Sequence, residues 1–244
     1  MSTLETKKIE PLSGTSVTLG AAGDAVTMPA GVTVKTNTVK DAGGNTLWTS
    51  DGSGTLSNVN SALQGNMVFI SSQLVTSSVS AIEITSGITS TYDEYVFYIV
   101  NWHQSNDDYH CRFIGSTNGG SSYGITSYLT RIRAIHAEGD GSTEVSYDTN
   151  QDQTDPSTNT ISLTDGIGND ADQTVSGVFH LYSPSSTTYV KHFTATFNGC
   201  RGNDRTTAVY TGGYMNTTSA VNAIKFKSAA GTVDSCQLYL YGIR

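Results

Sequence analysis

Charge is scarce in this chain. Asp, Glu, Lys and Arg make up 14% of its 244 residues, so its polarity comes from Ser, Thr, Asn and Gly. Proline is rare, at 4, and the Ala/Leu/Glu/Lys periodicity of surface helices is nearly absent. Both observations point away from a helical fold. Cysteine occurs 3 times, at Cys111, Cys200 and Cys236. An odd set without close spacing excludes a disulfide framework and predicts reduced thiols in a cytosolic product. No apolar run approaches the ~18 residues of a membrane-crossing helix. The opening MSTLETKKIEP has charges but no apolar core behind them, so it is not read as a secretory signal. A basic stripe is also lacking. The net charge of -8 and a pI near 4.9 argue against binding to nucleic acid or to an anionic membrane.

The chain does hold 13 Tyr, 25 Gly and a hydrophobic fraction of 36%. Low charge combined with frequent Tyr is not the composition of a disordered segment. It is what exposed β structure uses, and 244 residues can hold one large all-β domain or a medium domain with an accessory segment. The most informative stretch is residues 91–102, TYDEYVFYIVNW. As a strand it places Tyr95, Phe97 and Ile99 on one face and Val96, Tyr98 and Val100 on the other. A strand apolar on both faces is expected inside a sheet covered on both sides, in the middle of a sandwich or at an oligomer interface. Two turns of buried helix are disfavoured by its β-branched and aromatic content.

Around this strand the chain has two textures. Residues 1–11 are a polar arm. From 14 to 34, apolar residues stand in pairs two apart: Val17 with Leu19, Val26 with Met28, Val32 with Val34. Gly, Asp and Pro separate the pairs, as tight turns require. Strands this short cannot bury an apolar face alone, so stacking on other rungs or on copies of the chain is expected. Turn signals at 41–45 and 51–54 flank Thr46 to Thr49. A 3-to-4 spacing of Leu56, Val59, Asn60 and Leu63 predicts a short helix over 57–64, capped by Ser57 and ended by Gly65. The expected division is an N-terminal attachment and trimerisation segment over 1–65 and a C-terminal domain over 66–244. Strands are expected at 67–75, 79–84, 109–115, 125–137, 175–181, 189–197, 207–214, 223–227 and 236–243. Their spacing and turns favour an antiparallel β-sandwich of jelly-roll kind.

Catalytic chemistry finds little purchase. Gly120-Ser121-Ser122-Tyr123-Gly124 matches the G-x-S-x-G pattern, but that motif needs a strand before it and a helix after it. Here a Gly/Ser hairpin loop is the better reading. The histidines His103, His110, His136, His180 and His192 have no metal-ligand spacing. The run from Asp165 through Asp170 to Asp172 is oxygen-rich enough for a hard cation but lacks the D-x-D-x-D-G order, and Asp and Asn also form ordinary turns. Asp93 and Glu94, adjacent on a strand, would point opposite ways. No catalytic, cofactor-binding or metal-binding residue is therefore assigned, and no cofactor is expected. What remains is aromatic. Trp102, Tyr109 and Tyr123, with Tyr128 and Tyr147, lie in or beside expected loops and could meet a glycan or a protein partner.

The segment MSTLETKKIEPLSGTSVTLGAAGDAVTMPAGVTVKTNTVKDAGGNTLWTSDGSGTLS resembles the N-terminal region of fibre-like virion proteins of marine tailed bacteriophages. SGITSTYDEYVFYIVNWH, GNDADQTVSGVFHLYSPSSTTYVKHF and the terminal LYLYGIR are similar to the β domain that follows it in that family. The resemblance implies a virion structural protein, made in the host cytoplasm and assembled as a homotrimer. It implies attachment to other virion proteins through the N-terminal segment, with an outward-facing sandwich that contacts host surface or glycans. In that setting Val17, Leu19, Val26, Met28, Val32 and Val34 are the expected oligomer interface. A capsid decoration protein clamping the head lattice is the alternative role. An enzyme is not expected, nor is a nucleic-acid partner or membrane insertion.

Overall fold

The computed structural model describes residues 30, 35–60, 63, 65–152 and 160–244. The chain divides into two units, residues 1–63 and 64–244.

In the first unit three strands form an antiparallel sheet in chain order: β1 (Thr38–Lys40), β2 (Thr46–Ser50) and β3 (Leu56–Ser57). Asp residues shape both connecting turns. The Asp41 carboxylate accepts from the Asn45 amide at 2.8 Å, and Asp51 accepts from the amides of Ser53 and Thr55. The helix expected over 57–64 does not begin at Ser57, which instead pairs with Thr49 in the ladder. The residue after it, Asn58, has a φ of 50°, outside the helical region. The apolar pairs at 17–34 lie outside the described residues.

The second unit is a β-sandwich, and no α-helix occurs among the described residues. Its larger sheet has eight antiparallel strands. In spatial order they are β4 (Met67–Val75), β15 (Val233–Ile243), β6 (Glu94–Gln104), β11 (Val175–Tyr182), β12 (Lys191–Arg201), β13 (Arg205–Met215), β8 (Ser127–Ala137) and β9 (Thr143–Tyr147). The smaller sheet is ordered β10 (Ile161–Ser162), β7 (Cys111–Ser116), β14 (Ala223–Ser228) and β5 (Ile82–Ile84). Phe rings from both sheets meet between them. Phe179 on β11 lies 5.6 Å from Phe97 and 5.7 Å from Phe193 in its own sheet. It lies 4.7 Å from Phe113 and 5.9 Å from Phe226 in the facing one. Strict alternation delivers these rings. On β12, Phe193, Ala195 and Phe197 are buried while Thr194 and Thr196 are exposed.

Strand β6 sits third in the larger sheet, between β15 and β11. Tyr95, Phe97 and Ile99 are wholly buried, as its alternation predicts. Its other face is only partly covered: Val96 is buried, but Tyr98 and Val100 are 37% and 36% exposed. Among the described residues only one side of this sheet packs on a second layer, so the cover expected on both sides from within one chain is found on one.

Alternation then breaks. Between Ile99 and Trp102 the register shifts against β11, and β15 shows matching irregularity, so β6 carries one extra residue. Asn101 absorbs it with a φ of 52°, while its amide donates to Ser176 Oγ at 2.9 Å. The extra residue turns Trp102 inward. Asn tolerates the left-handed region that a β-branched side chain does not. Asn101→Gly should therefore leave stability nearly unchanged. Asn101→Val should lower it by roughly 1–2 kcal/mol, read as a shift in urea midpoint. Equal midpoints for the two variants would show that the bulge does not need that backbone conformation.

Candidate functional site

Of the aromatic residues singled out in the sequence, Tyr128 and Tyr147 stand on the neighbouring strands β8 and β9, while Trp102, Tyr109 and Tyr123 do not converge. Trp102 is 0% exposed and belongs to the core, so it cannot meet a glycan. It was expected in or beside a loop, but β6 runs on to Gln104 and the bulge at Asn101 turns it inward. Tyr109 and Tyr123 lie beyond opposite ends of β7. Tyr109 is exposed, and its carbonyl accepts from the buried Gln104 side chain at 2.9 Å. Tyr123 is engaged internally. The Lys225 ammonium sits 4.0 Å above its ring and pairs with Glu83 at 2.8 Å. Partial burial, then the Glu83 carboxylate, push the Tyr123 phenol up to about 12. The Gly120–Gly124 pattern lies in a loop, with Asn118 Oδ1 accepting from the Ser122 amide and positive φ at Gly119 and Gly120, but it is not the expected hairpin: it carries the chain from β7 in the smaller sheet to β8 in the larger one.

The Asp165 loop has a different use from the one its sequence offers. Three guanidinium groups surround the buried Asp165 carboxylate. Arg201 lies at 3.0 Å, Arg133 at 3.3 Å and Arg131 at 3.5 Å. Arg131 is itself fully buried on β8, and it also donates to Asp148 and to the Thr164 carbonyl, each at 2.8 Å. Arg133 reaches on to Glu144, and Arg201 to Asp108. Burial pulls the Arg131 pKa down while Asp148 and Asp165 pull it back. This network ties β8, β9 and β12 to the loops at 108, 148 and 165, so it is scaffold. Among the described residues no group of three or more His, Cys, Asp and Glu side chains is placed to hold a metal ion. Nearby His110 donates from Nδ1 to the Thr164 carbonyl at 2.7 Å, and burial lowers its pKa.

The surface with the features of a binding site is the uncovered face of the larger sheet. Ladder register sets its side chains in rows. One row runs Tyr239, Tyr98, Val178, Thr196, Tyr210, Ile132, Tyr147 across seven strands. The next runs Phe69, Tyr241, Val96, His180, Thr194, Gly212, Thr130. Near β4 the face is aromatic: the Tyr241 ring meets Phe69 at 5.6 Å and Tyr98 at 5.8 Å, both edge to face. In the middle, His180 Nδ1 donates to Glu94 at 2.6 Å and its ring stacks on Tyr182. Toward β9 the face becomes hydroxyl-rich, and Tyr210 and Ile132 stand 55% and 49% exposed.

Three hollows mark this second half. One of about 340 Å³ is lined by Thr130, Ile132, Thr194, Thr196, Tyr210 and Gly212. A second, of about 320 Å³, lies between β8, β9, β12 and β13 and includes His136, Val145 and Asn198. A third, of about 300 Å³, shares Asn198 and Thr206 with the second. Sequence reasoning named Tyr128 and Tyr147 but set them in or beside loops, and so missed the strand face they share. The signal was present in KHFTATFNG and TTAVYTGGY, where Thr and Tyr alternate with the buried residues.

The molecule is thus an all-β protein whose larger unit is a sandwich with one open, aromatic and hydroxyl-rich sheet face. Comparison with family models, curated proteins and solved structures returned no match.

Proposed function

We propose that this chain is a structural protein of a tailed-bacteriophage virion, a homotrimeric fibre-like appendage whose sandwich makes contact with the host surface through the open face of its eight-stranded sheet. The observation that carries the recognition role is that face. It holds Tyr98, Tyr128, Tyr147 and Tyr210 exposed among Thr and Asn side chains. Soluble monomers rarely leave large apolar and aromatic side chains grouped unless something meets them. The resemblance of residues 1–57 and of the later strands to fibre-like virion proteins supplies the virion setting. The apolar pairs from Val17 to Val34 supply the reason to expect three copies. A structural role also suits the Asp165 network, which commits a polar loop cluster to rigidity.

Labelling virions with an antibody against this chain and viewing them by electron microscopy tests the reading. Label on a tail appendage is the expected result. Copies spread over the head lattice would replace it with the capsid-decoration role, and virions without label would remove both. Light scattering on the purified chain checks the trimer separately, where a folded monomer at micromolar concentration counts against it.

A further inference from the structure

We infer that the hollow over Gly212 is a binding subsite for one neutral pyranose ring; this rests on the surface-recognition reading and names its ligand class. Glycine inside a strand weakens the strand, and it commonly marks either a crowded interior or a place where something approaches the backbone closely. The strand glycines here can be sorted by what a Cβ would strike. At Gly213 it would come within 2.3 Å of the Tyr128 carbonyl and 2.8 Å of the Phe193 ring. At Gly177 it would strike the Thr196 carbonyl and the Phe197 ring, at Gly199 Val175, at Gly115 Met215, and at Gly242 the Tyr92 ring. Packing explains each of these. At Gly212 a Cβ would meet nothing within 4 Å. Its φ is not among the positive values, so backbone conformation does not require glycine there either.

What Gly212 does is keep a gap in the outer face. Its ladder neighbours Thr194 and Thr130 flank it, and Tyr210 stands two residues away on the same face beside Thr196 and Ile132. The hollow of about 340 Å³ lies at the small end of the ~300–1,000 Å³ typical of ligand sites. Its chemistry is specific in kind. It offers hydroxyls that both donate and accept, one exposed aromatic ring and no ionised side chain among its lining residues. A neutral sugar ring offers the complement: hydroxyls around its rim and an apolar C–H face that can lie on Tyr210. An acidic or basic ligand would find no countercharge in this lining.

The test uses the full chain and three probes, the methyl glycosides of mannose, glucose and galactose, followed by saturation-transfer NMR and titration. At least one should bind with a Kd of about 1 mM, the strength expected of a single small ring in a shallow site. Gly212→Val fills the gap with a residue that strands favour, so its melting temperature should hold or rise while affinity falls tenfold or more. Tyr210→Ala should lose a similar factor, and Tyr210→Phe should keep most of the affinity. No binding at ten times that concentration, or binding that survives both Gly212→Val and Tyr210→Ala, overturns the subsite. Virions carrying Gly212→Val separate the two readings. If label remains on the appendage but no glycoside binds, only the subsite fails; if wild-type chain binds a glycoside through Gly212 yet is absent from virions, the virion reading fails instead.

Discussion

Replacing Phe179 with alanine is expected to cost the sandwich about 3–5 kcal/mol. This ring touches four others, two in its own sheet and two across the core, and it is wholly buried. Its neighbours are held by two separate ladders, so neither sheet can move inward to fill the space without breaking register. The cavity term of a large-to-small change should therefore be felt nearly in full. For a unit of this size the melting midpoint should fall by about 10 °C or more. Phe179→Leu should recover most of the loss, because it restores volume without restoring the edge-to-face contacts. A midpoint within a few degrees of wild type for the alanine variant would mean that the two sheets are not held together here.

The second large effect concerns charge. Asp165→Asn keeps the shape of the side chain and removes the carboxylate that three guanidinium groups share. Breaking a buried ion pair from one side costs about 3–5 kcal/mol, because the partner charge stays buried and under-compensated. Arg131 is the partner that matters, since it is fully enclosed, whereas Arg133 and Arg201 keep some access to solvent. A double-mutant cycle isolates it. Arg131→Met made in the Asp165→Asn background should cost less than the same change in the native chain, with a coupling of about 1–3 kcal/mol. Urea midpoints at unchanged m-value give all four corners of the cycle. Additive effects would show that Asp165 and Arg131 are neighbours without being partners.

How much of this was legible depends on the kind of signal. Strand β4 at 67–75 matches its sequence reading to the residue, and Leu238 and Leu240 turn inward on β15 as alternation required. Period-two patterning carries that information locally. Strands β9 and β10 were not read, because TEVSY is polar and sits between turns while Ile161–Ser162 is too short to show a period. Trp102 was misplaced by one inserted residue, which no pattern of apolar positions reveals in advance. The Asp165 network was out of reach for a different reason. Its carboxylates and guanidiniums come from positions 108, 131, 133, 144, 148, 165 and 201, and only the fold brings them together. Arg131 and Arg133 could be placed on one face of one strand, but not given partners. The open face fell between these cases: the alternation of Thr194 and Thr196 with Phe193, Ala195 and Phe197 was visible, but the single-sided cover of the sheet was not.

The position of β15 also sets a timetable for synthesis. It lies between β4 and β6, so neither of those strands has its neighbour on that side until residues 233–243 have left the ribosome. Gln237 donates to the Gln73 carbonyl across 164 positions of sequence. Until then β4, MVFISSQLV, waits as an uncharged, apolar ribbon with both edges unpaired. That is the condition under which strands pair with the wrong chain. Contacts of such long sequence separation form slowly, and every nascent copy passes through the exposed stage. Yield in recombinant expression should therefore depend more on translation rate and temperature than on the stability of the finished sandwich.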